Sequence, residues 1–392
     1  MPRRSLHASY NYNYNYIYSV IFITLYSFWV FYTHVTNSQY FTNIDYEIAS
    51  KIINGIIILL FVLSVILVYK ISIYSVIDLA IIIIFAISYL YSQTGLMLFA
   101  FTYFARYVNF SSVVKAFLIA TLLGILFVFI TYVLNLYTGT SLDLARNDTY
   151  RYLLGYRFPT FLPNYFFHIV LCVVFLRGRN IKAYDLLIIL ILNFLLYVYT
   201  DTRAVFYLIN LIIFCVLFFK IFRINYNTVY IGKVFRFLTI YSFLIFGLLA
   251  LYLQFNYDPS VSWMNEMNSA LSGRLKLGYH GIELYGVTLF GSYIEYVPIL
   301  EANNNNPFFY IDSAYLQLLL TNGLLVYIIV LIGYYRLGKI VVNENQQYFG
   351  LVLIFLLLHS LTDPQLLAGE FNPFMLAIAY YGIGKIKYNV LN

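Results

Sequence analysis

Arginine residues in the polar segments of this sequence are its clearest candidates for chemistry. A guanidinium is a rigid fork of N–H donors that fits the oxygens of phosphate and carboxylate groups. Two long polar segments, 137–159 and 257–311, hold three of the four arginines of interest, and the fourth follows a Thr-Asp-Thr sequence. The four are Arg151, Arg157, Arg203 and Arg274. We expect them to bind an anion unless neighbouring acids neutralise them.

Those neighbouring acids provide a structural alternative for three of the arginines. Asp143 and Asp148 lie in the segment 137–159, where two carboxylates cannot neutralise its three arginines, which include Arg146. Arg203 has Asp201 two residues away, or its long side chain could reach the lipid headgroups. The sequence therefore leaves anion binding and local pairing both open.

Candidate proton acceptors follow Arg274 along the chain. On a helix, Lys276, His280 and Glu283 share one face, and a histidine beside a carboxylate can act as a general base. A solvated, salt-bridged helix face is the alternative for His280 and Glu283. Asp312 opens the motif Asp-Ser-Ala-Tyr-Leu-Gln, where it could cap a helix or face the same space as Arg274.

Three further residues complete the predicted site. Tyr315 belongs to the same motif as Asp312, and Glu370 and Asn372 lie in a polar turn close to a predicted membrane entry. We interpret these three side chains as candidate substrate-binding groups.

The sequence contains no motif for a nucleotide, a metal or a Ser-His-Asp triad. Walker A, GxGxxG before a helix, HExxH and GxSxG patterns are all absent, and the five histidines show no ligand spacing. Cys172 and Cys215 both fall inside apolar runs and are interpreted as core residues. We therefore predict no cofactor and no metal.

Composition identifies the elements that must position these residues. Of 392 residues, 62% are hydrophobic and only 10% are charged, which excludes a soluble enzyme and a nucleic-acid-binding protein. We predict an all-α, polytopic membrane helix bundle forming a single membrane domain, 1–392, with about 12 transmembrane helices. The predicted spans are 16–36, 52–70, 73–91, 95–110, 116–136, 160–176, 184–200, 204–220, 237–256, 312–335, 347–362 and 371–384.

The distribution of basic residues predicts the orientation of these spans. With both termini cytoplasmic, fifteen Lys and Arg residues lie inside and seven outside, as the positive-inside rule requires. The seven outside are Lys51, Arg146, Arg151, Arg157, Arg203, Arg274 and Lys276. The loops 137–159 and 257–311 then share the outer face of the cytoplasmic membrane. We expect that face to carry the active site.

The order of these motifs resembles the Wzy-type polymerases of O-antigen, capsule and exopolysaccharide repeat units. The resemblance covers residues 50–385. It rests on Arg151-Tyr-Leu-Leu-Gly-Tyr-Arg-Phe-Pro, Thr200-Asp-Thr-Arg, Ser272-Gly-Arg with the later Phe290-Gly, and Asp312-Ser-Ala-Tyr-Leu-Gln. The related O-antigen ligases look similar but often carry a His-Asn pair where this chain has Asp312-Ser313, and that departure favours the polymerase.

The resemblance implies a glycosyltransferase that works without nucleotide or metal. Its substrates would be undecaprenyl-pyrophosphate-linked oligosaccharide and the growing polysaccharide, with membrane lipid, a flippase and a chain-length regulator as partners. On this reading, Arg274, Arg157 and Arg151 meet the pyrophosphate, with Arg203 behind them, and the base is His280, Glu283 or Asp312. A ligase-type transferase and a polysaccharide flippase or transporter remain the alternatives.

Overall fold

Helices form nearly all of the regular structure in a computed structural model of the chain. It describes residues 3–41, 47–68, 76–134, 136, 144–146, 149–297, 302–303 and 307–381. The helices are α1 (Arg3–Thr36), α2 (Glu47–Val68), α3 (Val76–Ser92), α4 (Leu96–Ala105), α5 (Phe110–Val133), α6 (Phe161–Arg177), α7 (Ala183–Thr200), α8 (Arg203–Ile221), α9 (Ile231–Phe255), α10 (Ser262–Ala270), α11 (Arg274–Tyr285), α12 (Ala314–Gln317), α13 (Gly323–Asn343), α14 (Gln347–His359) and α15 (Ala377–Ala379).

Shorter elements connect these helices. A π-helical segment, Leu318–Asn322, joins α12 to α13. Two three-residue strands, β1 (Leu144–Arg146) and β2 (Thr149–Arg151), pair antiparallel inside the predicted outer loop. Single 3₁₀ turns lie at Gln39–Phe41, Gly178–Asn180, Pro364–Leu367 and Phe374–Leu376.

Seven helices of the described residues are long and apolar enough to cross a membrane. They are Tyr16–Thr36, Phe110–Val133, Phe161–Asn180, Ala183–Thr200, Arg203–Ile221, Ile231–Phe255 and Ala314–Asn343. Shorter apolar helices at Ser50–Val62, Leu79–Ser92, Leu96–Ala105 and Gln347–His359 fall on four more of the predicted spans. The last predicted span, 371–384, is described only to residue 381, so the count of twelve stays a prediction. The chain is a helical, membrane-embedded protein.

Contacts divide the chain into two compact units. The first unit comprises Met1–Ser72, Ala100–Asn225 and Gly369–Asn392, and the second comprises Ile73–Phe99 and Tyr226–Ala368. The basic C-terminal tail that the topology prediction uses, 384–392, lies outside the described residues, as do the loop acids Asp143 and Asp148.

Aromatic side chains fill the core of the first unit, where α1 packs along α5 and α2. Trp29 stacks on Phe101 with ring centroids 4.7 Å apart. The Tyr26 hydroxyl donates a 2.7 Å hydrogen bond to the carbonyl of Gly369, which ties the C-terminal segment to α1. At Gly124 on α5 a Cβ atom would collide with the ring of His34 on α1, so close helix packing requires this glycine.

Helices α9, α13 and α14 form the core of the second unit. Phe243 on α9 stacks on Tyr334 on α13 at 5.2 Å. Gly338 on α13 lies against the backbone of Thr239, where a side chain would not fit. Small residues at such crossings let backbones approach closely, which is how apolar helices gain packing energy when no water is displaced.

The predicted span 312–335 is not one continuous helix. Gly323 has φ +88°, so the helix breaks between the π-helical segment and α13. The extended segment 288–292 docks at this break: Leu324 N–H donates to the Thr288 carbonyl (2.9 Å) and Ser292 N–H donates to the Leu320 carbonyl (3.0 Å). These hydrogen bonds therefore hold the segment 288–292, which follows α11, against the helix break that follows α12.

Candidate functional site

Arg274 and Asp312 form an ion pair in the second unit, with Arg274 Nε 3.3 Å from Asp312 Oδ2. Arg274 is the first residue of α11, and Asp312 lies two residues before α12. The side chains keep 31% and 21% of their surface exposed, so a ligand can reach both. The structure thus brings together two residues that are 38 positions apart in the sequence.

The start of α11 is built to hold Arg274 in place. Gly273 precedes it with φ +86°, a left-handed conformation that favours glycine. The Asn268 side-chain oxygen accepts from the backbone N–H of Lys276 at 3.1 Å, which caps the first turn. Leu275 is buried with Tyr257 and Met264, anchoring the opposite side of the turn. These contacts fix the backbone from which the Arg274 side chain extends.

Burial raises the pKa of Asp312 to about 6. The guanidinium of Arg274 opposes this rise, and the nearby carboxylate of Asp363 adds to it. Burial also raises the pKa of Tyr310, and the negative charges of Asp363 and Asp312 add to this rise. Asp312 is therefore a carboxylate at neutral pH with an increased affinity for a proton, as a general base requires.

Asp363 is a further acidic member of this cluster, which the sequence does not mark as a site residue. Its Oδ1 accepts from the backbone N–H of Gln365 at 3.0 Å, which caps the 3₁₀ turn Pro364–Leu367. The only sequence signal was an aspartate before proline. Nothing in the sequence placed it within electrostatic reach of Asp312.

His280 and Glu283 lie on one face of α11, as the helical spacing predicts. Their side chains are 3.9 Å apart and are each about half exposed, at 51% and 55%. This geometry matches the solvated pair that the sequence left as the alternative to a catalytic base. Asp312, and not this pair, contacts Arg274.

Tyr315 is fully buried, so the structure does not place it where a substrate could bind. Its hydroxyl donates to the Leu357 carbonyl at 2.8 Å, and its ring packs edge-on against Phe243 at 5.1 Å. The tyrosine joins α12 to α14 and α9. Its place in the same motif as Asp312 suggested substrate binding, but Tyr315 lies on the side of α12 that faces the core.

In the first unit, two predicted arginines have local partners. Arg151 Nε donates a 2.8 Å hydrogen bond to the carbonyl of Thr200 and so caps the C-terminal end of α7. Arg203 pairs with Asp201 at 3.1 Å and is 59% exposed, which matches the local-pair alternative. The backbone N–H of Arg157 donates to the Asn37 carbonyl at 3.0 Å, holding the partly buried Arg157 beside the end of α1.

Glu370 and Asn372 lie in the C-terminal turn of the first unit. Asn372 is buried and accepts from the backbone N–H of Phe374 at 3.0 Å, which is a capping role. Glu370 is largely buried near Tyr26 and Tyr165, and burial raises its pKa to about 7. Of the two, only Glu370 has a shifted pKa, which is a property of candidate functional residues.

The raised pKa of Glu370 predicts a pH-dependent stability. Its carboxyl binds a proton in the folded state up to about pH 7 but in the unfolded state only up to its ordinary value of 4.5. Stability therefore falls as pH rises through this window, by up to about 3 kcal/mol. We expect Glu370→Gln to raise the unfolding temperature at pH values above 7 and to flatten its pH dependence in detergent. Exposed Glu266→Gln is the control and should change neither. An unchanged pH profile in Glu370→Gln would contradict the assignment.

Comparisons with known proteins add no family to this description. A scan against family models finds no match, and searches of curated proteins and of solved structures find none either. Within the part of the chain that the structure describes, no three His, Cys, Asp or Glu side chains are grouped to hold a metal ion. The fold and the Arg274–Asp312 pair therefore carry the functional argument.

Proposed function

We propose that this protein is a glycosyltransferase that polymerises undecaprenyl-pyrophosphate-linked oligosaccharide repeat units into surface polysaccharide. The reaction would take place on the outer face of the cytoplasmic membrane, with both termini of the multi-pass chain cytoplasmic. It would use neither nucleotide nor metal, in keeping with the motifs absent from the sequence. Partners would be membrane lipid, a flippase and a chain-length regulator.

The observation that carries this proposal is the Arg274–Asp312 pair. Negative charge develops on a pyrophosphate leaving group, and a preorganised guanidinium stabilises that charge. Arg274 is held at the start of α11, is reachable, and lies beside a carboxylate suited to take the proton of the acceptor hydroxyl. A cation and a base in contact are the two groups that metal-free glycosyl transfer from a diphosphate requires.

The geometry ranks the other predicted residues. Among the three candidate bases it favours Asp312, because Asp312 contacts the guanidinium of Arg274. His280 and Glu283 instead form an exposed pair with each other. For diphosphate binding it favours Arg274, whose side chain is 31% exposed at the start of α11, over Arg203, which is 59% exposed and donates from both Nε and Nη2 to Asp201. The assignment of Arg151 and Arg157 to substrate binding stays a prediction from the sequence.

The experiment that tests the proposal is incubation of the purified full-length protein with lipid-linked repeat units. A ladder of products that differ by one repeat unit supports polymerisation. Transfer of finished polymer to an acceptor without a change in its length would identify a ligase. Movement of the substrate across vesicles without a new glycosidic bond would identify a transporter. In cells, a deletion strain should carry surface glycans capped by a single repeat unit, and normal long polymer would overturn the proposal.

A further inference from the structure

The ion pair that marks the candidate site also obstructs it. Asp312 Oδ2 lies 3.3 Å from Nε of Arg274, on the edge of the guanidinium that a phosphate approaching in bidentate fashion would use. No other acid is paired with Arg274 among the described residues. The carboxylate therefore occupies part of the surface that Arg274 would offer to an anion.

Electrostatics make joint occupancy unfavourable. Asp312 contacts the guanidinium and is itself repelled by the nearby carboxylate of Asp363. A diphosphate diester would add two more negative charges, in a partly buried site where charges are poorly screened. The other titratable groups near the pair are Tyr310, Tyr296 and His359. None of them brings a positive charge that would replace Arg274 as the partner of Asp312, because the tyrosines are neutral and His359 is buried.

We propose that Asp312 occupies the place of the donor diphosphate on Arg274 in the resting protein, and that donor binding displaces it and so makes it the proton acceptor. The inference rests on the proposed function, because it takes the diphosphate of the lipid-linked donor as the competing anion. Once displaced, Asp312 keeps its burial and the repulsion from Asp363 but loses its cation. Its affinity for a proton rises at the moment a base is required.

The reaction that follows is balanced without a further reactant. The acceptor hydroxyl oxygen forms a bond to the anomeric carbon of the donor, and the bond from that carbon to the diphosphate oxygen breaks. The bonding electron pair leaves with the diphosphate, whose charge Arg274 stabilises. The hydroxyl proton passes to Asp312 and returns to solvent when the diphosphate leaves and the ion pair reforms.

Competition between the two anions predicts a proton-linked affinity. Protonation of Asp312 releases Arg274, so the donor should bind more tightly as pH falls through the pKa of Asp312, which is about 6. If donor binding raises that pKa by one further unit, affinity between about pH 8 and pH 5 changes by about tenfold. Asp312→Asn should bind the donor about tenfold more tightly than the native protein at about pH 8 and lose this pH dependence.

The test is direct binding to the purified full-length protein at the two pH values. The probe is a short-chain polyprenyl diphosphate esterified to a monosaccharide, whose phosphate charges do not change in this range. Asp258→Asn removes an exposed carboxylate that bonds Ser260 and serves as the matched control, with affinity unchanged. Affinity of the native protein that rises at low pH, together with a tighter and pH-independent Asp312→Asn, supports the inference.

Three results would overturn it, and they differ in what they say of the proposed function. Equal affinity of the native protein and Asp312→Asn at both pH values removes the competition but leaves polymerisation to its own assay. Binding that Arg274→Ala does not weaken removes Arg274 as the diphosphate site. No binding of the probe by the native protein and by Asp312→Asn removes the proposed function as well. The pH dependence of the native protein provides a reading that does not depend on the folding of a variant.

Discussion

Replacing Arg274 by alanine should abolish polymer formation while leaving the protein inserted in the membrane. The substitution removes the charge that would meet the developing diphosphate and leaves Asp312 without its partner. Loss of one preorganised donor to a developing oxyanion lowers a rate by roughly 100- to 1,000-fold. Arg274→Lys should recover only part of the rate, because an ammonium is a point charge without the bidentate fork.

The measurement is the rate of ladder formation by purified variants, normalised to the amount of folded protein. Lys233→Ala is a suitable control, since it removes one positive charge from an exposed position at the opposite end of α9 from the segment 257–311. It should polymerise at the native rate. Full-length polymer at normal rates from Arg274→Ala would refute the assignment of Arg274 to the diphosphate.

Adding a single methyl group at Gly291 should strongly destabilise the second unit. Gly291 has φ +93°, and a Cβ there would overlap the carbonyl oxygen of Thr321. Gly323, at φ +88°, meets the backbone of Gly291 and Leu289 from the other side. Two backbones cross at these glycines with no room for a side chain, and neither can move because their N–H and carbonyl groups are bonded across the crossing.

We expect Gly291→Ala or Gly323→Ala to lower the free energy of unfolding by about 3 to 5 kcal/mol, since overpacking and a strained backbone act together. Gly286→Ala separates the two effects, because Gly286 also has a positive φ, +60°, but nothing lies within 4 Å of its Cβ position. That control should lose less, about 1 to 3 kcal/mol. Thermal unfolding in detergent and the yield of inserted protein are the measurements. Equal losses in all three variants would show that backbone strain alone matters.

The same crossing has a consequence for the site. The segment 288–292 follows α11, which begins with Arg274, and the π-helical segment follows α12, which Asp312 precedes. Fixing these two segments against each other therefore helps to set the separation of Arg274 and Asp312. A variant at either glycine that still folds should show a larger fractional loss in the rate of polymerisation than in the amount of folded protein.

The class of protein and most of the helices follow from the amino-acid sequence alone. Long apolar runs can satisfy their backbone hydrogen bonds in lipid only as helices, so composition and length were sufficient to find spans such as 184–200 and 204–220. The sequence also identified Arg274 and Asp312 as residues worth attention, because charged groups are few in this chain and each stands out.

Tertiary structure decided which of those residues meet. Arg274 and Asp312 meet across 38 positions of sequence, in a unit where the chain crosses itself at Gly291 and Gly323, and such a contact has no local sequence signature. Burial likewise separated Tyr315, which packs inward, from Asp312, three residues earlier, which stays reachable. Helical periodicity gives the face of a residue, but its neighbours and its pKa depend on what other segments bring to that face.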